Sequence, residues 1–131
     1  MIIKIKPDKK KIESILEMVE LIGERIKALD KIKFVTLIIS DYYEIIKELM
    51  TAVLLNEGYK TLSHKDLINY FKRDYKDLEL NEIILIDDLR IVRNRICYEG
   101  FKIQNDYLEN NELKYLQIIK KLKLLIKNKL K

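Results

Sequence analysis

A chain of 131 residues, 48% hydrophobic and 36% charged, is one domain's worth of sequence with an ordinary globular balance. Its single cysteine excludes an internal disulfide and offers no metal-ligand spacing, and no run approaches the roughly 20 apolar residues of a membrane span. The net charge is +5, but seven lysines and no acid follow Leu113, so residues 1–112 are net acidic and the basic character belongs to the tail. Such a tail fits either a polyanion partner or a solvated last helix whose lysines suit its C-terminal dipole.

Three glycines and one proline leave few turns, so long helices are expected. Pro7 and Asp8 open the first, with Ile12, Ile15, Leu16, Val19, Ile22 and Ile26 on one stripe, ending near Leu29. After the break "DKIK", a second runs from about Phe34 to Glu57, and Gly58 suits a left-handed cap. "TLSHKDL" is a helix start: Ser63 can cap it, Asp66 follows three residues on, and Leu62 can staple onto Leu67. That third helix is short, about 64–75. A fourth spans about Leu80 to Glu99 and stops at Gly100; a fifth covers about 106–130, with Tyr115, Ile118, Ile119, Leu122, Leu125 and Ile126 as its stripe. No strand, repeat or linker is evident. The expected fold is all-α, a single domain over residues 1–131 forming an up-and-down bundle of about five helices. The opening "MIIKIKPDKK" does not read as a signal peptide, and cysteine usage makes the cytoplasm the expected location.

On a helical wheel of residues 80–99, Leu85, Leu89, Val92 and Ile96 form one narrow stripe, expected to be buried. Arg93 and Cys97 flank it, with Cys97 expected as a small buried hydrophobe. Asp87, Arg90, Asn94 and Tyr98 point the other way, near Ile84 and Ile91. A solvated face would not normally carry two isoleucines and a tyrosine, so Ile84, Ile91 and Tyr98 are expected at a homodimer contact.

The same helix ends in "RIVRNRICYEG". Three of the chain's five arginines fall there, in a protein that otherwise uses lysine. A planar guanidinium holds phosphate or carboxylate by paired hydrogen bonds, which makes Arg90, Arg93 and Arg95 candidate phosphate ligands. Ion pairing is the competing explanation. Asp87 can meet Arg90 and Glu99 can meet Arg95, which would leave Arg93 free. His64, the only histidine, sits on the first turn of a helix and reads as structural or exposed. Tyr42, Tyr43, Tyr70 and Tyr75 read as core edges.

"LRIVRNRICYEGF" resembles the signature of the HEPN superfamily of small helical-bundle proteins, in which Arg and a polar residue precede a His near the end of a late helix. Arg93 and Asn94 match the first two positions, and Tyr98 stands at the His position. "YYEIIKELMTAVLLNEGYKTLSHKDLINYF" is similar to the family's middle helices, so the resemblance covers about residues 36–101. In catalytic members the pair cleaves RNA without metal. By that resemblance Arg93, Asn94 and Tyr98 are the candidate catalytic residues. Phenol titrates near 10 against about 6.5 for imidazole, so Tyr98 is a poor base at neutral pH. In toxin–antitoxin relatives a tyrosine two positions past the His accepts a transferred nucleotide; Gly100 stands there in this chain.

The resulting expectation is a dimeric RNA- or nucleotide-binding protein that acts without a cofactor or metal. The resemblance adds a role as the degenerate partner of a nucleotidyltransferase in a toxin–antitoxin pair. An active ribonuclease using Tyr98, and a dimerising assembly module without catalysis, are the alternatives.

Overall fold

The computed structural model describes residues 2–129, and five helices carry the architecture: α1 (Lys9–Ala28), α2 (Val35–Asn56), α3 (His64–Asp74), α4 (Leu80–Glu99) and α5 (Asn105–Lys129). The all-α bundle expected from the sequence is present, with helix ends within a residue or two of those read from the caps. Asp8 accepts a hydrogen bond from the Lys11 backbone N–H and Ser63 from that of Asp66, so α1 and α3 begin at their capping residues. Glu79 and Glu82 form a reciprocal capping box at the start of α4, and Gly100, with φ of 66°, ends it. The staple expected at α3 is not formed. Leu62 is 90% exposed, so Ser63 alone sets that helix start.

One departure from the expectation is a short antiparallel ladder. β1 (Ile2–Lys4) pairs with β2 (Tyr59–Thr61), Ile2 opposite Thr61 and Lys4 opposite Tyr59. Strands of three residues show no alternation to read, and the partners lie more than fifty positions apart in the chain. Gly58 makes the ladder possible. Its φ is +87°, and its carbonyl accepts from the Ile5 N–H at 2.7 Å.

The core is a single cluster built around α2. Fourteen of its 22 residues are buried, so it has almost no solvent face and packs against each of the other helices. Ile38, Ile39, Ile46 and Leu49 are fully enclosed. Each such side chain contributes about 1.5–3 kcal/mol relative to remaining exposed. α1 brings Ile12, Ile15, Val19, Ile22 and Ile26 to it, and α5 brings Tyr115, Ile118 and Leu122.

The seating of α4 corrects the wheel. Its deepest residues are Ile83, Ile86 and Leu89, whereas Leu85, Val92 and Ile96 are half-buried at the edge of the core. Branched aliphatics are spread around the whole of α4, so a wheel alone cannot choose among several arcs. Simultaneous packing against α2 and α3 selects the arc through Ile83 and Ile86. Among the described residues no helix is long and apolar enough to cross a membrane.

A Cβ at position 58 would lie 3.1 Å from the Ile5 carbonyl oxygen, on a backbone already at positive φ. Gly58→Ala is therefore expected to destabilise the protein by about 1–2 kcal/mol. Urea unfolding measures this, and an unchanged midpoint would mean that the ladder contributes nothing to stability.

Candidate functional site

Residues 41–44 of α2 read Asp-Tyr-Tyr-Glu inside an otherwise apolar stretch. Four consecutive residues at 3.6 per turn point in four directions around a helix. Each of these side chains meets a different neighbouring helix. Asp41, itself buried, takes a two-pronged contact from Arg25 of α1, Nε to Oδ2 at 2.9 Å and Nη2 to Oδ1 at 2.6 Å. The Tyr42 hydroxyl donates to Glu112 of α5 at 2.7 Å. The Tyr43 hydroxyl is hydrogen-bonded to Nδ1 of His64 of α3 at 3.0 Å. Glu44 accepts from Nη2 of Arg93 of α4 at 2.8 Å and from Lys47 one turn along α2 at 2.8 Å. A helix without a solvent face can carry four polar residues because each neighbour supplies a partner.

Two of these four links, through Tyr43 and Glu44, converge on one site. Arg93 is not left free, as pairing within α4 alone would have left it. Its guanidinium holds Glu44, lies 5.6 Å from the centre of the Tyr43 ring, and places Nη1 3.4 Å from the Asn94 side-chain oxygen. Its side chain is only 20% exposed, and Nε is buried without an acceptor among the described residues. Glu44 lies 49 positions away in sequence, beyond the reach of helical-spacing arguments. Arg90 pairs with Asp87 at 2.9 Å, as helical spacing suggested. Arg95 stands apart. It stacks on Phe101 at 3.9 Å from the ring centre and reaches Glu99 only at 3.7 Å. The three arginines thus divide into a half-buried pair, Arg90 and Arg93, and an exposed one.

Tyr98 is 81% exposed, and Ile84 and Ile91 are exposed as well, so α4 carries an uncovered apolar and aromatic face in the single chain. Cys97 is exposed rather than buried. It lies in the stretch from Cys97 to Lys102 where every residue is exposed, past the last turn of α4 that touches the core. Tyr42, Tyr43 and Tyr75 are buried and Tyr70 half-buried, all within or against the core as read from the sequence.

His64 is the residue that the sequence reading undervalued. It is half-buried, bonded to Tyr43 and 5.8 Å from that ring, on the same tyrosine that Arg93 overlies. The informative signal was the Asp-Tyr-Tyr-Glu run, whose polar groups require partners from elsewhere in the fold. Electrostatics ties the cluster together. Burial, then the positive charges of Lys47 and Arg93, pull His64 below its usual 6.5. Burial pushes the Tyr43 phenol up to about 12, against the pull of Arg93 and Arg90. Burial alone would raise the Glu44 carboxyl, but its bond to Lys47 and the charges of Lys47 and Arg93 hold it below the usual range. At neutral pH the site therefore presents three cations, two carboxylates, a protonated phenol and a neutral imidazole. An incoming phosphate can share the Arg93 fork only in competition with Glu44. Among the described residues no group of three or more His, Cys, Asp or Glu side chains is placed to hold a metal ion.

Because the fold favours neutral His64, the sign of the linkage is set. The contribution of His64 to stability is fully present above about pH 6.5 and is lost as pH drops below it, since the unfolded chain binds the proton more readily. His64 is the only histidine, so its ring signals in a proton NMR titration belong to it without further assignment. A midpoint below 6.5 is expected, moving upward in Arg93→Ala. A wild-type midpoint at or above 6.5 would separate His64 from the cationic cluster. No known protein family, curated protein or solved structure matches the chain.

Proposed function

We propose that the chain is a HEPN-like, dimeric protein that binds RNA or a nucleotide at the α4 site. The observation that carries this reading is one cluster in which His64 bonds Tyr43, Arg93 overlies the same ring, and Lys47 shares Glu44 with Arg93, with the charge of Arg90 acting on both Tyr43 and His64. Lys47, Arg90 and Arg93 are cationic, and His64 can donate or accept a hydrogen bond without charge. Arg93 is the principal phosphate ligand, exchanging part of its fork between Glu44 and the ligand, with Asn94 beside it. The exposed face of Ile84, Ile91 and Tyr98 is where a second copy packs, bringing two such sites toward one groove. A nucleotidyltransferase partner extends the same reading. Tyr98 supplies a hydrogen bond rather than a base, so the wild type binds without appreciable cleavage.

Two observations favour other readings. His64 and Arg93 both contact Tyr43, which brings an imidazole near a guanidinium, the two groups that the HEPN resemblance implies for RNA cleavage. Each of Arg90, Arg93 and Arg95 also has a carboxylate partner within the chain, as an assembly module would require.

Binding of a labelled mixed-sequence RNA, followed across salt concentration in EDTA, separates these readings. Affinity should fall steeply with salt, and Arg93→Ala should reduce the salt slope by about one. Arg93→Lys should weaken binding nearly as much as Arg93→Ala, since it keeps the charge and loses the fork. Sedimentation should show a dimer at micromolar concentration that Ile91→Asp dissociates. Absence of salt-dependent RNA binding leaves the assembly module. Wild-type cleavage abolished by His64→Gln or Tyr98→Phe establishes the ribonuclease instead.

A further inference from the structure

Gly23 lies in the interior of α1, a 20-residue helix, where glycine is among the poorest helix formers. No contact among the described residues requires it. Its φ is not positive, and a Cβ built there meets no heavy atom within 4 Å. The space it leaves open belongs to a groove of about 220 Å³ between α1 and α5, floored by Tyr42 and Ile45 of α2. The groove continues along α5 past Leu116, Ile119 and Leu124. Leu116 and Leu124 are each 48% exposed at its edge. From Leu116 to Lys127 the α5 rim runs roughly 16 Å, about three helical turns.

The rims differ in charge. α5 contributes Lys120, Lys123 and Lys127, and α1 contributes Glu20, Glu24 and Lys27, so the α5 rim is wholly basic and the α1 rim net acidic, with Lys123 reaching across to Glu20 at 3.2 Å. We propose that this groove is a docking site for an amphipathic helix of a partner protein. Leucine-sized side chains of that helix sit over Gly23 and Tyr42, and an excess of carboxylates faces the α5 lysines. An apolar floor with charged rims is the chemistry of helix-in-groove recognition. A second copy seated through α5 would set lysine against lysine, because that helix has no acid after Leu113. An anionic lipid surface would meet Glu20 and Glu24 on the opposite rim.

The test uses the full-length protein and a fluorescent synthetic helix of about 18 residues, alanine-based, with leucines on one face, glutamates along one flank and glutamines along the other. A matched peptide carrying lysine in place of glutamate is the control. The acidic peptide should bind in the micromolar range and lose affinity as salt is raised. Gly23→Leu should be at least as thermally stable as wild type, yet bind about tenfold or more weakly, because its side chain fills the groove. Leu116→Asp, at the exposed edge, should weaken binding similarly and serves if Gly23→Leu folds poorly. Equal binding of the lysine peptide overturns the proposal, as does unchanged binding by Gly23→Leu and Leu116→Asp. So does no binding at millimolar peptide. Self-association that Gly23→Leu abolishes would identify a second copy as the occupant. Tighter binding to phosphatidylglycerol vesicles than to the peptide would identify a lipid surface. Either result contradicts a helical partner.

Discussion

A helix surrounded on nearly every side cannot carry polar side chains unless its neighbours pair with them, and in α2 that requirement organises the rest of the protein. A buried polar group left unsatisfied costs about 1–3 kcal/mol, more when charged. Asp41, Tyr42, Tyr43 and Glu44 impose four such requirements within one turn. They are met by Arg25, Glu112, His64 and Arg93, one from each surrounding helix. Hydrophobic burial supplies most of the stability, but it is tolerant of sliding and rotation. The polar ring is not, because each partner must arrive at one height along α2. It therefore fixes the register of the helices that the aliphatic contacts hold together.

The candidate site follows from this ring. His64 and Arg93 lie on different helices, 29 positions apart in sequence, and they meet because Tyr43 and Glu44 are adjacent on α2. Arg93 is thus both joint and site. Its bond to Glu44 orients the guanidinium, and Lys47 and Arg90 add positive charge to the same cluster. The next residue around the ring, Tyr42, faces the α1–α5 groove instead. The two surfaces accordingly sit on different sides of the same helix.

Local information made much of this legible in the sequence. The helix ends were readable because Asp8, Ser63, Gly58 and Gly100 act within a few residues of themselves. Stripes on α1 and α5 were readable because each has one apolar face. α4 was not, because its aliphatics surround it and only contact with α2 and α3 chooses the buried arc. The β1–β2 ladder and the Arg93–Glu44 pair join residues far apart in the chain, and no spacing rule reaches them. His64 looked isolated for the same reason. The Asp-Tyr-Tyr-Glu run was visible throughout, and the physical reason to notice it was that four polar side chains within one turn of a buried helix must each find a partner.

A double-mutant cycle at Glu44 and Arg93 tests the polar ring most directly, since this pair both joins α2 to α4 and orients the arginine of the site. Urea unfolding of the wild type, Glu44→Ala, Arg93→Ala and the double variant gives the coupling free energy between the two side chains. Because both are largely buried and joined by a charged hydrogen bond of 2.8 Å, a favourable coupling of about 1–3 kcal/mol is predicted. A coupling indistinguishable from zero would contradict the account.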